Sequence, residues 1–128
     1  MSKQVIRTEW APAPFQGAPY NQAIVANGFV FVAGQLGLDP ATAQIVEGGI
    51  TAQTERVFAN LRAILEAAGT SLDSIVKTTV FLTNLDDFGG MNEVYAQQIG
   101  STPPARSTVE IGKLPAGALV EIEAIALA

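Results

Sequence analysis

Arg106, Glu121 and Glu123 are the side chains of this sequence best placed to do chemistry, because so many other reactive groups are missing. The 128 residues contain no histidine and no cysteine. That removes the Ser-His-Asp arrangement, the commonest general base and the usual zinc and iron ligands together. Any reaction must then rest on Arg, Lys, Tyr, Glu, Asp, hydroxyls, backbone groups or water. Arg106 follows Pro103-Pro104-Ala105, a stiff lead-in that fixes where its strand begins. Glu121 and Glu123 stand in apolar company, with Ala118-Leu119-Val120 before them and Ala124-Ile125-Ala126-Leu127-Ala128 after. A charge beside apolar surface needs a partner, and a guanidinium is the natural one. Its planar fork also binds carboxylates through two bonds. An arginine–carboxylate site is one reading of these residues; an ordinary solvent-facing polar row is the other.

The elements that must hold these groups follow from periodicity. Side chains alternate along a strand. Over Arg106–Ile111 this puts Arg106, Thr108 and Glu110 on one face and Ser107, Val109 and Ile111 on the other. Over Leu119–Leu127, Glu121 and Glu123 share a face, with Val120, Ile122, Ala124 and Ala126 opposite. The polar groups of both strands are expected on one side of the sheet. Upstream, Gln4–Thr8 is a short strand, followed by a stretch from Ala11 to Pro19 whose three prolines forbid helix and interior strand. Gln22–Ala26 and Phe29–Ala33 flank Asn27-Gly28, a type I′ hairpin signal. Gly34–Gly49 reads as a loop. From Ile50, the 3–4 spacing of Val57, Leu61, Ile64, Leu65 and Ala68 predicts a helix, with Gly69 as its left-handed terminator. Ile75–Thr83 is β-branched and aromatic, hence a strand. Asp86 or Asp87 is expected to cap a second helix carrying the apolar stripe Phe88, Met91, Tyr95 and Ile99, ended by Gly100. The order is β, β, β, α, β, α, β, β. It predicts an α+β fold, two helices against one mixed sheet, as a single domain over residues 1–128.

Composition narrows the partners. The net charge is −5, and the seven Lys and Arg form no basic stripe, so nucleic acid is not the expected partner. No apolar run approaches the ~18 residues of a membrane span, and Met1-Ser2-Lys3-Gln4 lacks a signal peptide's hydrophobic region. The expectation is a cytoplasmic protein with no membrane contact. Asp86-Asp87 is more simply a helix cap than a metal site, since calcium or magnesium needs several converging oxygens.

Three fragments near the C-terminus resemble the signature of the RidA/YjgF family. They are Pro103-Pro104-Ala105-Arg106-Ser107-Thr108-Val109-Glu110, Leu114-Pro115-Ala116-Gly117-Ala118 and Val120-Glu121-Ile122-Glu123-Ala124-Ile125-Ala126. Pro19-Tyr20-Asn21-Gln22-Ala23, Phe31-Val32-Ala33-Gly34-Gln35, Val76-Lys77-Thr78-Thr79-Val80-Phe81-Leu82 and Met91-Asn92-Glu93-Val94-Tyr95 agree in order and spacing. The resemblance runs from about Thr8 to Ala126.

It implies a chorismate-mutase-like α+β fold, with both helices on one face of the sheet. It also implies a homotrimer whose active sites lie in clefts between subunits. The reaction it implies is hydrolysis of 2-imino or 2-enamino acids to 2-keto acids and ammonia, with no metal or cofactor. Residue by residue, Arg106 matches the arginine that clamps the substrate carboxylate, and Glu121 the glutamate that orients the attacking water. Tyr20 matches the tyrosine lining the cleft and Asn92 the asparagine of the second helix, while Ala33, Gly34 and Thr108 fall at pocket positions. Three departures stand out. Gly17-Ala18-Pro19-Tyr20 is one residue longer than the usual Gly-Pro-Tyr, Ala33 replaces a frequent serine, and Thr108 a frequent cysteine. A non-catalytic trimer that senses a small carboxylate, and a ribonuclease or translation inhibitor, are the alternative functions. Acidic charge and missing histidine argue against the last.

Overall fold

In the computed structural model, which describes residues 2–128, turn chemistry organises the N-terminal half. Asn27 and Gly28 take φ of 51° and 82°, the positive pair that a type I′ turn demands. The turn folds β2 (Ala23–Ala26) antiparallel onto β3 (Phe29–Leu36), and β1 (Gln4–Ile6) adds outside β2. β3 continues to Leu36 instead of stopping at Ala33. Between Val32 and Gln35 its pairing with β8 (Val120–Leu127) shifts register, so that Ala33 and Gly34 together oppose Glu123. An extra residue of this kind bends a strand and disrupts its ladder locally. The expected loop from Gly34 to Gly49 also holds a second, small sheet, β4 (Leu38–Asp39) against β5 (Gln44–Ile45).

The helix α1 (Gly49–Ala67) buries Val57, Phe58, Leu61, Ile64 and Leu65, the face its periodicity predicts. Gly69, at φ 84°, stops it as expected. The Thr70 N–H reaches back to the Leu65 carbonyl and the Gly69 N–H to that of Glu66, both at 2.9 Å. Together they satisfy two otherwise orphaned carbonyls. After β6 (Ile75–Leu82) comes α2 (Phe88–Gln98), the crossover that lets β7 (Ala105–Glu110) pair parallel with β6. Asp87 takes the N-cap position of α2, as one of the two expected residues, but its side chain makes no capping hydrogen bond. A short 3₁₀ turn, Leu85–Asp87, precedes α2, so the capping oxygen falls earlier: Asn84 Oδ1 accepts from the Asp86 N–H at 2.9 Å. Glu110 on β7 accepts from the Leu85 N–H at 2.9 Å.

The main sheet runs β1-β2-β3-β8-β6-β7. Val30, Val80, Val120 and Ile122 on its inner face are buried with Phe58, Leu61 and Leu65 of α1 and Met91 of α2 in one core. The Phe58 and Tyr95 rings meet edge-on at 5.5 Å and join the two helices. This is the α+β, chorismate-mutase-like architecture, with one mixed sheet and both helices on one face. On the other face Phe31, Val109 and Leu127 are each more than 40% exposed. No helix among the described residues is long and apolar enough to cross a membrane.

Candidate active site

Glu121 lies near the start of β8, where the bulge in β3 brings the two strands' backbones close. A methyl group built on Gly34 would stand 2.7 Å from both the Cδ and Oε2 atoms of Glu121. Only a residue without a side chain leaves room for the carboxylate there. Glu121 lines a cavity of about 330 Å³ together with Tyr20, Ala33 and Gly34, and with Pro12 and Phe15 from the proline-rich segment. The Tyr20 hydroxyl accepts from the Phe15 N–H, which ties that segment's turn to the cavity wall. The longer Gly-Ala-Pro-Tyr sequence therefore still delivers Tyr20 to the site. Burial raises the Glu121 carboxyl above the ordinary glutamate range, and the charge of Glu123 adds to the effect. A carboxyl of this kind is a better proton acceptor than an exposed one.

Arg106 sits at the second position of β7, and α2 positions it. Asn92 Oδ1 accepts from Arg106 Nη1 at 2.7 Å. The guanidinium carbon stands 4.7 Å from the Tyr95 ring centroid and 5.5 Å from that of Phe88, within cation–π range. Tyr95 is held in turn by a 2.7 Å hydrogen bond between its hydroxyl and that of Thr78. A groove of about 380 Å³ opens beside Arg106, lined by Asn92, Tyr95 and Pro103 among others. Asn92 takes one N–H of a group that carries five, so the fork keeps donors for an anion. Thr108, two residues along, has its hydroxyl buried with no hydrogen-bond partner among the described residues.

The sequence-level expectation that Arg106 and the glutamates share one side of the sheet fails. Arg106 pairs with Thr78, and Thr78 with Ala124, both buried beneath the helices. Glu121 pairs with Phe81, and Glu123 with Thr79, on the opposite parity of β6. Arg106, Asn92 and Thr108 therefore belong to the helix side, and Glu121 and Glu123 to the open side. Alternation fixes parity within a strand; the relation between β7 and β8 passes through their separate registers with β6. The structure thus gathers Glu121, Tyr20, Ala33 and Gly34 in one place and Arg106 with Asn92 in another.

Two participants escaped the sequence reading. Phe88 and Tyr95 belong to the apolar stripe of α2, yet Phe88 is 39% exposed and both rings face the guanidinium. Their spacing from Asn92, four residues before it and three after, was the available signal, since it puts all three on one helix face. Among the described residues no three Asp or Glu side chains gather in a way that could hold a metal ion.

The comparisons agree with this architecture. A family model described as Endoribonuclease L-PSP matches residues 10–128. A RutC family protein of Pyrococcus abyssi is 53% identical, over 98% of this chain and 98% of its own. A mouse protein named 2-iminobutanoate/2-iminopropanoate deaminase is 42% identical over 98% of this chain and 91% of its own. The crystal structure of RidA from an Antarctic Psychrobacter superposes with a TM-score of 0.92 at 45% identity, covering 98% of this chain and 99% of that one. Fold, matched span and relatives coincide, and the chain belongs to the RidA/YjgF family.

Proposed function

We propose that the chain hydrolyses 2-imino or 2-enamino acids to 2-keto acids and ammonia, in a homotrimer whose clefts combine the Glu121 face of one copy with the Arg106 face of the next. The observation that carries this reading is the separation of the two half-sites. A carboxylate clamp and a raised carboxyl on opposite faces of one sheet can serve one small substrate only when two copies meet. The name of the mouse relative supports the reaction class.

The chemistry suits a protein without histidine. An iminium carbon is already electrophilic, so a held carboxylate and a positioned water suffice. Arg106, fixed by Asn92 and its two aromatic neighbours, holds the substrate carboxylate. Glu121 accepts a proton from water as the water oxygen bonds to the imine carbon, then returns it to the nitrogen of the carbinolamine, which leaves as ammonia while the hydroxyl gives up its proton and becomes the keto group. Neither step calls for a metal or cofactor. The family's Endoribonuclease description favours a second reading, RNA cleavage. A net charge of −5 and the lack of histidine oppose it.

The test follows ammonia release from iminopropanoate generated in situ, beside RNA degradation by the same preparation. Arg106→Ala should lower kcat/KM by about 30–1,000-fold, or ~2–4 kcal/mol, while assembly is kept. Arg106→Lys should recover little, because it keeps the charge and loses the planar fork. Wild-type rates in an assembled Arg106→Ala protein would make Arg106 merely structural and remove the clamp from the mechanism.

A further inference from the structure

The proline-rich segment forms one wall of the Glu121 cavity without belonging to any helix or sheet of length. Pro12, Pro14 and Pro19 exclude it from regular structure; the carbonyls of Pro14, Phe15 and Ala18 accept from N–H groups within the segment, and those nearer its start need partners from elsewhere. One side chain supplies them. Gln22, 3% exposed, accepts from the Thr8 N–H at 2.7 Å through Oε1. Its Nε2 lies within hydrogen-bond distance of three carbonyls, Thr8 at 3.0 Å, Ala11 at 3.1 Å and Pro12 at 2.8 Å, so its two N–H groups serve all three with one of them shared. The Gln22 backbone carbonyl meanwhile accepts from the Ala33 N–H at 2.9 Å, at the bulge of β3. A single residue thus joins the bulge that borders Glu121 to the segment that faces it across the cavity.

We propose that Gln22 is a positioning residue for substrate affinity: by anchoring Thr8–Pro12 its carboxamide holds the cavity wall that Pro12, Ala13 and Phe15 form, while the chemical step proceeds without it. The kinetic half of this rests on the deaminase reading; the structural half does not. Gln22→Glu keeps the shape and the acceptor for Thr8 but sets a carboxylate oxygen against the three carbonyls that the amide N–H groups served. Gln22→Met keeps the length and loses every bond, and covers the case in which the glutamate variant fails to fold.

The experiment measures imine hydrolysis and amide hydrogen exchange on the same assembled proteins. KM for iminopropanoate should rise about tenfold or more with kcat within about twofold, the pattern of lost uniform binding. Exchange at Phe15, Gly17 and Tyr20 should accelerate, with β3 and β8 unchanged. A merely structural role lowers kcat through the fraction of folded protein and leaves KM alone, so that result overturns the proposal. Unchanged exchange at those amides overturns it whatever the activity. If the wild type releases no ammonia, the deaminase reading fails, and faster exchange still establishes the latch.

Discussion

Glu121 is a carboxyl made less acidic by its surroundings, by burial first and by the charge of Glu123 second. As the base that takes a proton from water it must be ionised, so activity is present above its raised pKa and is lost as pH falls through it. The acid limb of kcat/KM, after subtraction of uncatalysed hydrolysis, should lie above the ordinary glutamate value of about 4.3. In Glu121→Gln that limb should vanish and kcat should fall more than KM rises. A limb that persists unchanged in Glu121→Gln would assign the titration to another group. At this scale the sequence was informative about residue type. The exclusion of histidine and cysteine narrowed the reactive residue types, apolar neighbours drew attention to Glu121 and Glu123 alike, and the family resemblance singled out Arg106 and Glu121. It could not show that the two face opposite ways, because that depends on how β7 and β8 each register on β6.

Two glycines at the end of β3 separate what an element can absorb from what it cannot. At Gly34 an added methyl group would meet the end of the flexible Glu121 side chain at 2.7 Å. At Gly37 it would meet the Cα of Gln53, in the backbone of α1, at 2.8 Å. Gly34→Ala should therefore fold normally with its carboxylate turned aside, lowering kcat about tenfold or more (~1.4 kcal/mol) with little change in Tm. Gly37→Ala should lower stability by about 1–3 kcal/mol, because a helix must move. Thermal unfolding and kinetics of the pair check both, and equal Tm losses would contradict the distinction. The hairpin at Asn27-Gly28, the periodicity of α1 and its end at Gly69 were legible because each is set by local chemistry. The bulge at Ala33–Gly34 was not, since it exists only in the pairing of β3 with a strand some ninety residues away. The two-residue strands β4 and β5 are too short to carry an alternation, and the cap at Asn84 was hidden by a 3₁₀ turn with no strong signature.

For the whole molecule, the open face of the sheet is the feature that one chain leaves unfinished. Phe31, Val109 and Leu127 lie exposed there in company with Lys77 and Glu123, apolar side chains that a partner copy would cover. Sedimentation at micromolar concentration should give about three times the chain mass of 13.4 kDa. A stricter test asks whether the half-sites are shared. Arg106→Ala and Glu121→Gln should each be nearly inactive alone. Unfolded together and reassembled in equal amounts, they should regain about a quarter of wild-type activity, because random mixing leaves that share of clefts with both native residues. No recovery in mixed trimers would mean that each chain works with its own two residues.

The strand order also governs how the protein is made. β8 lies between β3 and β6 in space, yet it follows every other strand of its sheet in the sequence. During synthesis the N-terminal meander and the β6–α2–β7 unit emerge with facing edges that have nothing to pair with until the final strand leaves the ribosome. Unpaired edges of this kind are the usual seeds of strand-to-strand association. The facing edges of β3 and β6 therefore stay open to other strands until β8 has emerged to fill the gap between them.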